Sequence, residues 1–270
     1  MRDIALGQFI ARDSILHKCD PRTKILIMIV YVAMVFFVES IPAFLIPFAF
    51  FLIGLLLSKI PVSYILKSIK PIRLLLVFMF VLNLFFTTGT HVIFTIPIFR
   101  WSWSLTWEAI YQSFFITIRI VLLVTGASML TLTTSPIKLT DGIERLMNPL
   151  RVFKFPAHEL AMMMTIALRF IPTLIEESDK IMKAQLSRGA DLESGNIFAR
   201  VKAMVPILIP LFVSSFRKAD ELATAMESRC YHGGEGRTRL HSLKFGRNDL
   251  FAGILTVLFF GATLTLYIVF

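Results

Sequence analysis

Apolar residues run along this chain in blocks too long and too even to be the stripe of a surface helix. Residues 25–38, 43–57, 74–99 and 109–134 form four such blocks, and 250–270 forms a last one of 21 residues without a charge. A helix needs about 20 apolar residues to cross the hydrocarbon core of a bilayer, so the pattern predicts five membrane-spanning helices. The first block is short and borrows its flanks, with Lys24 reaching back to the headgroups along its aliphatic stem. The turn-forming Glu39-Ser40-Ile41-Pro42 folds the first two blocks into a helical hairpin, and Thr87-Thr88-Gly89-Thr90 marks where the third leaves the lipid.

Between the fourth and fifth blocks the pattern changes to mixed helices. Start and stop signals predict helices over 136–147, ending before Asn148-Pro149, over 156–187, interrupted at Pro172, and over 199–229, with Pro206 and Pro210 inside. Gly189 and Gly233-Gly234 are the expected stops of the last two. The stretches 160–168 and 203–213 are strongly apolar yet fall short of spanning length. They predict helices lying along one membrane face with charged ends projecting from it. The alternative is a sixth, distorted crossing over 203–216, which needs Pro206 and Pro210 rescued inside lipid and moves the C-terminus to the other side. Seven of the twelve methionines fall in this insert, Met162, Met163 and Met164 among them. Such residues suit a surface that repacks against different neighbours, or else they simply fill a core. The expected architecture is therefore an all-α integral membrane protein. Four transmembrane helices lie in 1–134, a helical region in 135–249, and a final transmembrane helix in 250–270.

Composition agrees, with 56% hydrophobic residues and 26 phenylalanines in 270 positions, more apolar surface than a soluble domain of this size hides. The net charge of +10 changes the picture only through its placement. Arg2, Arg12, Lys18, Arg22 and Lys24 precede or open the first block. Lys59, Lys67, Lys70 and Arg73 occupy the second connection. The first connection has no Lys or Arg and the third only Arg100, while 135–249 holds 17 of the 28 basic residues. Basic residues concentrate on the cytoplasmic side, so the N-terminus and the insert are expected there and the C-terminus outside. The excess then reports orientation, not nucleic acid. No small-residue cleavage site follows the first basic segment, which predicts a retained anchor. Trp101, Trp103 and Trp107 fall in the outward connection, where amphipathic rings favour the headgroup level.

The insert's 17 basic residues face 13 acidic ones, the balance of a folded region and not of a cationic tail. Cys19 and Cys230 lie beside the basic segments and are expected as reduced thiols. His17, His91, His158, His232 and His241 show no paired spacing, so no metal site is expected. No GxxxxGK[ST] loop is present, so the chain cannot cradle nucleotide phosphates in the P-loop manner.

Two segments then stand out, Lys183-Ala184-Gln185-Leu186-Ser187-Arg188-Gly189 and Ala223-Thr224-Ala225-Met226-Glu227-Ser228-Arg229-Cys230. Each closes a helix with an arginine between small residues. A cation there complements the helix macrodipole, a purely structural role worth roughly 0.3–1 kcal/mol. Small neighbours also leave the guanidinium free to enter a groove and pair with a carboxylate. Two such ends about forty residues apart suggest a two-pronged plug. Arg119, inside the fourth block, needs a partner such as Glu108 or a carbonyl near a helix end. Asp20-Pro21-Arg22 reads as a helix cap with proline in the first turn. A rival of another class is a membrane enzyme for lipid or isoprenoid substrates, using Asp141, Glu144, Glu176 and Glu177. Adjacency of Glu176 and Glu177 turns them to different helix faces and weakens it.

With these motifs in order, the chain resembles the transmembrane T component (EcfT) of energy-coupling factor transporters, the CbiQ/EcfT family that includes cobalt and nickel importers. The resemblance covers nearly the whole chain. It begins with Asp13-Ser14, Leu16-His17 and Asp20-Pro21-Arg22-Thr23-Lys24, and runs through Arg119, Leu132-Thr133-Thr134-Ser135-Pro136, Ala167-Leu168-Arg169-Phe170-Ile171-Pro172 and Ala184-Gln185. Arg217-Lys218-Ala219-Asp220-Glu221-Leu222-Ala223 and the two arginine ends complete it. The family pattern at those ends is Ala-Arg-Gly; this chain has Ser187-Arg188-Gly189 and Ser228-Arg229-Cys230. The resemblance implies a non-catalytic coupling subunit whose Arg188 and Arg229 enter grooves on two ATP-binding cassette subunits (EcfA and EcfA'). ATP and Mg would sit on those partners and no cofactor on this chain. A separate S component, held by the membrane helices, would bind the vitamin and topple to release it inward. A subunit dedicated to one cobalt or nickel importer is the alternative within the family.

Overall fold

The structure is a computed structural model that describes residues 9–10, 12–98, 101–153, 155–191, 196–233 and 245–269. The chain divides into two compact units, Met1–Ile143 with Leu243–Phe270, and Glu144–Ser242.

The first unit is a helix bundle. Its elements are the single turn α1 (Ile15–Lys18), α2 (Pro21–Phe37), α3 (Leu45–Ser58), α4 (Val62–Ile69), α5 (Arg73–Phe86), α6 (Trp107–Thr133) and α10 (Arg247–Val269). Helix α7 (Pro136–Met147) follows α6, and its Gly142 meets Pro21 at the start of α2. Local chemistry explains the starts. Asp20 caps α2 by accepting the Arg22 N–H at 2.9 Å, with Pro21 at the first helical position, where its missing N–H costs nothing. Thr106 caps α6 through the Ala109 N–H at 3.2 Å. Asp249 folds back on the Gly246 N–H at 2.7 Å to open α10 and also accepts the Asp20 N–H at 2.7 Å, joining two helix starts 229 positions apart.

The core of this unit lies among α2, α3 and α6, with Tyr31, Val35, Phe51, Leu55, Phe115 and Leu122 buried together. Tyr31 donates to the Leu122 carbonyl at 3.0 Å. Its ring lies against Gly126, where any Cβ would collide with it, so glycine sets the α2–α6 approach. Helix α10 packs on α2 and α3, placing Phe259 against Phe50 and Tyr267 against Phe37. Lys24, buried, donates to the Thr133 carbonyl at 3.0 Å and to the Thr134 hydroxyl at 3.2 Å, so its ammonium closes the C-terminal end of α6 instead of reaching out.

Four helical segments are long and apolar enough to cross a membrane: Val62–Phe86, Trp107–Thr133, Ala157–Ser187 and Arg247–Ile268. A shorter apolar one is Pro42–Ser58. The chain is a multi-pass, all-α membrane protein. Two expectations need correction. The stretch 160–168, expected to fall short of spanning length and lie along one membrane face, belongs to the 31-residue helical segment Ala157–Ser187, which is long and apolar enough to cross. The block 74–99 is not one helix: the helical segment begins earlier, at Val62, and stops at Phe86. An antiparallel hairpin follows, β1 (Val92–Ile98) with β2 (Trp101–Thr106), paired from Ile98↔Trp101 to Val92↔Thr106. Hydropathy does not separate a short apolar strand from a helix, whereas the Trp101-Ser102-Trp103-Ser104 alternation carries the period of two. Glu108 holds the hairpin's entrance, accepting from the Thr90 hydroxyl at 2.9 Å and from the His91 N–H at 3.1 Å. Trp107 is exposed, and the side chains of Trp101 and Trp103 lie outside the described residues.

The second unit is built on two 31-residue helices, α8 (Ala157–Ser187) and α9 (Ile197–Glu227). Contrary to the expected interruption, α8 continues through Pro172, which removes one intrahelical N–H without ending the helix. Helix α9 stops at Glu227, ahead of Gly233; Gly234 lies outside the described residues. The two helices run antiparallel. Gln185 reaches Pro206 at 3.4 Å and Glu177 pairs with Lys218 at 3.3 Å, while Met162 shares a groove with Met226.

Candidate functional site

The two arginine segments are the C-terminal ends of α8 and α9, and the same backbone lock builds both. At the first, the Gly189 N–H donates to the Leu186 carbonyl at 3.0 Å and the Ala190 N–H to the Gln185 carbonyl at 3.0 Å. At the second, the Cys230 N–H donates to the Glu227 carbonyl at 2.9 Å and the Tyr231 N–H to the Met226 carbonyl at 3.0 Å. This crossed pair of bonds is the Schellman ending, which satisfies carbonyls that a helix otherwise leaves orphaned. It requires a left-handed residue just after the cap. Gly189 has φ +86° and Cys230 φ +57°. Arg188 and Arg229 therefore hold the same position in the same motif.

That position explains the small-Arg-small pattern. The residue after each arginine turns the chain away from the helix axis, and the residue before it is small, so the guanidinium stands clear. Ser187, Arg188, Gly189, Ser228, Arg229 and Cys230 are all exposed. Neither arginine has an ion pair among the described residues. The antiparallel pairing puts the two tips at opposite ends of the helix pair, on the order of 40 Å apart at about 1.5 Å per residue. That separation is comparable with the roughly 40 Å width of a globular domain of about 200 residues.

Sequence reasoning named Gln185 within the resemblance but missed its role in supporting this pair. Pro210 has no N–H, so the Pro206 carbonyl one turn earlier loses its intrahelical donor. Gln185, on the last turn of α8, supplies one from its side-chain amide at 3.4 Å. A proline four residues after another carbonyl is the signal that such a donor is needed. Between the two helices, Met162, Phe170 and Leu174 of α8 and Leu222 and Met226 of α9 line an apolar groove of about 370 Å³. Exposed Met163 and Met164 on α8 and Phe212 and Phe216 on α9 add unpartnered apolar surface.

Arg119 is placed in the first unit. It donates to the Val38 carbonyl at 2.7 Å, and its guanidinium lies over the Phe115 ring at 4.5 Å. Val38 caps the C-terminus of α2, so the arginine satisfies an orphan carbonyl there, while Glu108 is occupied at the hairpin. Of the carboxylates of the rival enzyme reading, Asp141 and Glu144 lie three positions apart on α7. Glu144 bonds His158 at 3.0 Å, Glu177 pairs with Lys218, and Glu176 is exposed. Among the described residues no three His, Cys, Asp or Glu side chains gather where they would hold a metal; His241 lies outside them.

Beside the bundle start, His17 is held by the Ile10 carbonyl at 3.0 Å and the Ser14 hydroxyl at 2.6 Å. Burial, outweighing the Ile10 bond, with Lys24 and Arg12 nearby, keeps its pKa below the ordinary value. Burial, then the Asp249 charge, pushes the Cys19 thiol up to about 11.

The CbiQ family, described as cobalt transport protein, matches residues 12–240. The chain is 52% identical over 255 residues to the energy-coupling factor transporter transmembrane protein EcfT of Clostridium kluyveri, covering 94% of this chain and 93% of that protein. It is 50% identical to the protein of the same name from Thermosediminibacter oceani, covering 95% of each. With that of Bacillus subtilis it shares 45% over 92% of each chain.

Proposed function

Because the chain belongs to the CbiQ family of cobalt transport proteins, we propose that it is the transmembrane coupling subunit of an energy-coupling factor importer. It receives mechanical work from two ATP-binding cassette ATPases and passes it to a membrane-embedded S component that binds a vitamin or other micronutrient. The observation that carries this reading is the pair of identical helix endings, each presenting an exposed arginine with no ion pair among the described residues, at opposite ends of one antiparallel helix pair. A bare guanidinium next to small residues is a bidentate donor waiting for an acidic groove. Two of them on stiff helices turn the closure of two nucleotide-loaded partners into displacement of α8 and α9.

ATP and Mg belong to those partners, and this chain is the non-catalytic subunit. The basic second connection and the basic N-terminus orient the chain with the arginine tips in the cytoplasm. The family's description as cobalt transport proteins favours a cobalt importer as the second reading, whereas relatives at 45–52% identity carry the energy-coupling factor name. The test is charge reversal. In the reconstituted complex, Arg188→Glu with Arg229→Glu is expected to abolish co-purification of the cassette ATPases and ATP-driven uptake. Arg169→Glu, an exposed site on α8 away from its end, is expected to leave assembly intact. Full assembly and uptake by the double variant would sink the proposal.

A further inference from the structure

Outside the proposed coupling site, the strongest charged patch lies where α4 meets α5. From Ser40 to Trp107 the chain has no acidic residue, yet Lys59, Lys67, Lys70 and Arg73 crowd into the turn between α3 and α5. A 3₁₀ turn at Lys70–Ile72 links α4 to α5. Lys67 lies near the end of α4, Lys70 opens the 3₁₀ turn and Arg73 opens α5, and residues three apart on a helical segment are neighbours on its surface. The three cations therefore rise along one side of the segment. All three are exposed, and none has an ion pair among the described residues. Like charges at this spacing repel. Among the described residues no carboxylate pairs with them, and Arg12 joins the same corner by donating to the Lys59 carbonyl at 2.7 Å.

The apolar residues around the cations identify the counter-charge. Ile65 and Leu76 are buried, and α4 and α5 both pack on α6. Tyr64 at 43%, Leu66 at 60% and Leu74 at 83% exposure flank the cations on the outer side. The Lys67 ammonium lies 5.2 Å from the Tyr64 ring centre, the amphipathic pairing expected at headgroup depth. A surface that is apolar at one level and cationic at the next, with no acid, complements an anionic phospholipid: acyl chains against Leu66 and Leu74, phosphate against the three cations.

We propose that the α4–α5 corner is a binding site for anionic phospholipid, its headgroup held by Lys67, Lys70 and Arg73. This goes beyond the orienting effect of positive charge, because it requires retention of particular lipids at one place. The test is native mass spectrometry of the full chain released from vesicles of equal parts phosphatidylglycerol and phosphatidylcholine. The wild type is expected to retain phosphatidylglycerol preferentially. Lys67→Gln with Lys70→Gln and Arg73→Gln is expected to cut that retention by at least about ten-fold, each cation near a lipid surface contributing roughly five-fold. The charge-keeping Lys67→Arg, Lys70→Arg, Arg73→Lys chain keeps the retention, which separates binding from failed insertion. Neutralising Lys180, Lys183 and Lys202 leaves it unchanged. Equal retention of both lipids by the wild type, equal loss in the Lys180 set, or displacement by millimolar inorganic phosphate would each overturn the proposal. So would protection of the corner by a co-purifying acidic protein in place of lipid.

Discussion

At the scale of single residues, the left-handed position after each arginine carries the most weight. Gly189 adopts φ +86° at no steric cost, whereas Cys230 adopts φ +57° with a Cβ in place. A left-handed residue with a side chain costs roughly 1–2 kcal/mol. Cys230→Gly is therefore expected to tighten the end of α9, raising hydrogen-exchange protection of the Cys230 and Tyr231 amides by about five-fold. Gly189→Val is expected to lower protection at the end of α8 by a similar factor, and unchanged exchange in both variants would contradict the shared lock. His17 gives a pH dependence at this scale. Its pKa is lowered in the fold, so the folded state binds the proton less readily than the unfolded chain. Local stability is flat above pH ~6.5, the ordinary value, and falls as the pH drops below it. Amide exchange over 14–19 should quicken on acidification below that value, and His17→Gln should remove the dependence.

At the scale of elements, the α8–α9 pair shows one helix repairing another. The Gln185 amide stands in for the donor that Pro210 removes from the Pro206 carbonyl. Gln185→Leu is expected to cost about 0.5–1.5 kcal/mol of helix-pair stability, and Pro210→Ala, which restores the backbone donor, should suppress that loss. A double-mutant cycle in denaturant with no coupling between the two sites would refute the repair. Much at this scale was legible in the sequence. Asp20-Pro21 named the start of α2, Pro136 and Asn148-Pro149 bracketed α7, and the Ser-Arg pairs marked the helix ends within a few residues. Those signals are local, each resting on capping or on a missing N–H. The β1–β2 hairpin was not legible as such, since its first strand continues the apolar run of α5 and only the Trp-Ser alternation of β2 departs from it. The Lys24 bond to Thr133, the Arg119 bond to Val38 and the Gln185 bond to Pro206 span 21 to 109 positions. No periodicity announces such partners. They follow from the orphan carbonyls that helix ends and prolines leave behind, which the fold then assigns.

At the scale of the whole molecule, two cysteines make the orientation readable. Cys19 is buried at the start of the bundle with its thiol pushed up to about 11, so at neutral pH it holds almost no thiolate and little access for a reagent. Cys230 is exposed beside Arg229. A bulky, membrane-impermeant maleimide therefore reports on one tip of the helix pair without mutation. If the tips meet cytoplasmic ATPases, Cys230 labels in inside-out vesicles and not in intact cells, and the assembled cassette partners shield it. An added cysteine at Thr88, exposed at the end of α5 beside the hairpin, gives the reverse pattern, because one crossing separates it from the basic second connection. Labelling of Cys230 from outside intact cells, or from the same side as the Thr88 site, would leave the arginines where no nucleotide-driven partner reaches them. The coupling proposal would fall, while the bundle, its caps and the shared helix endings would stand as described.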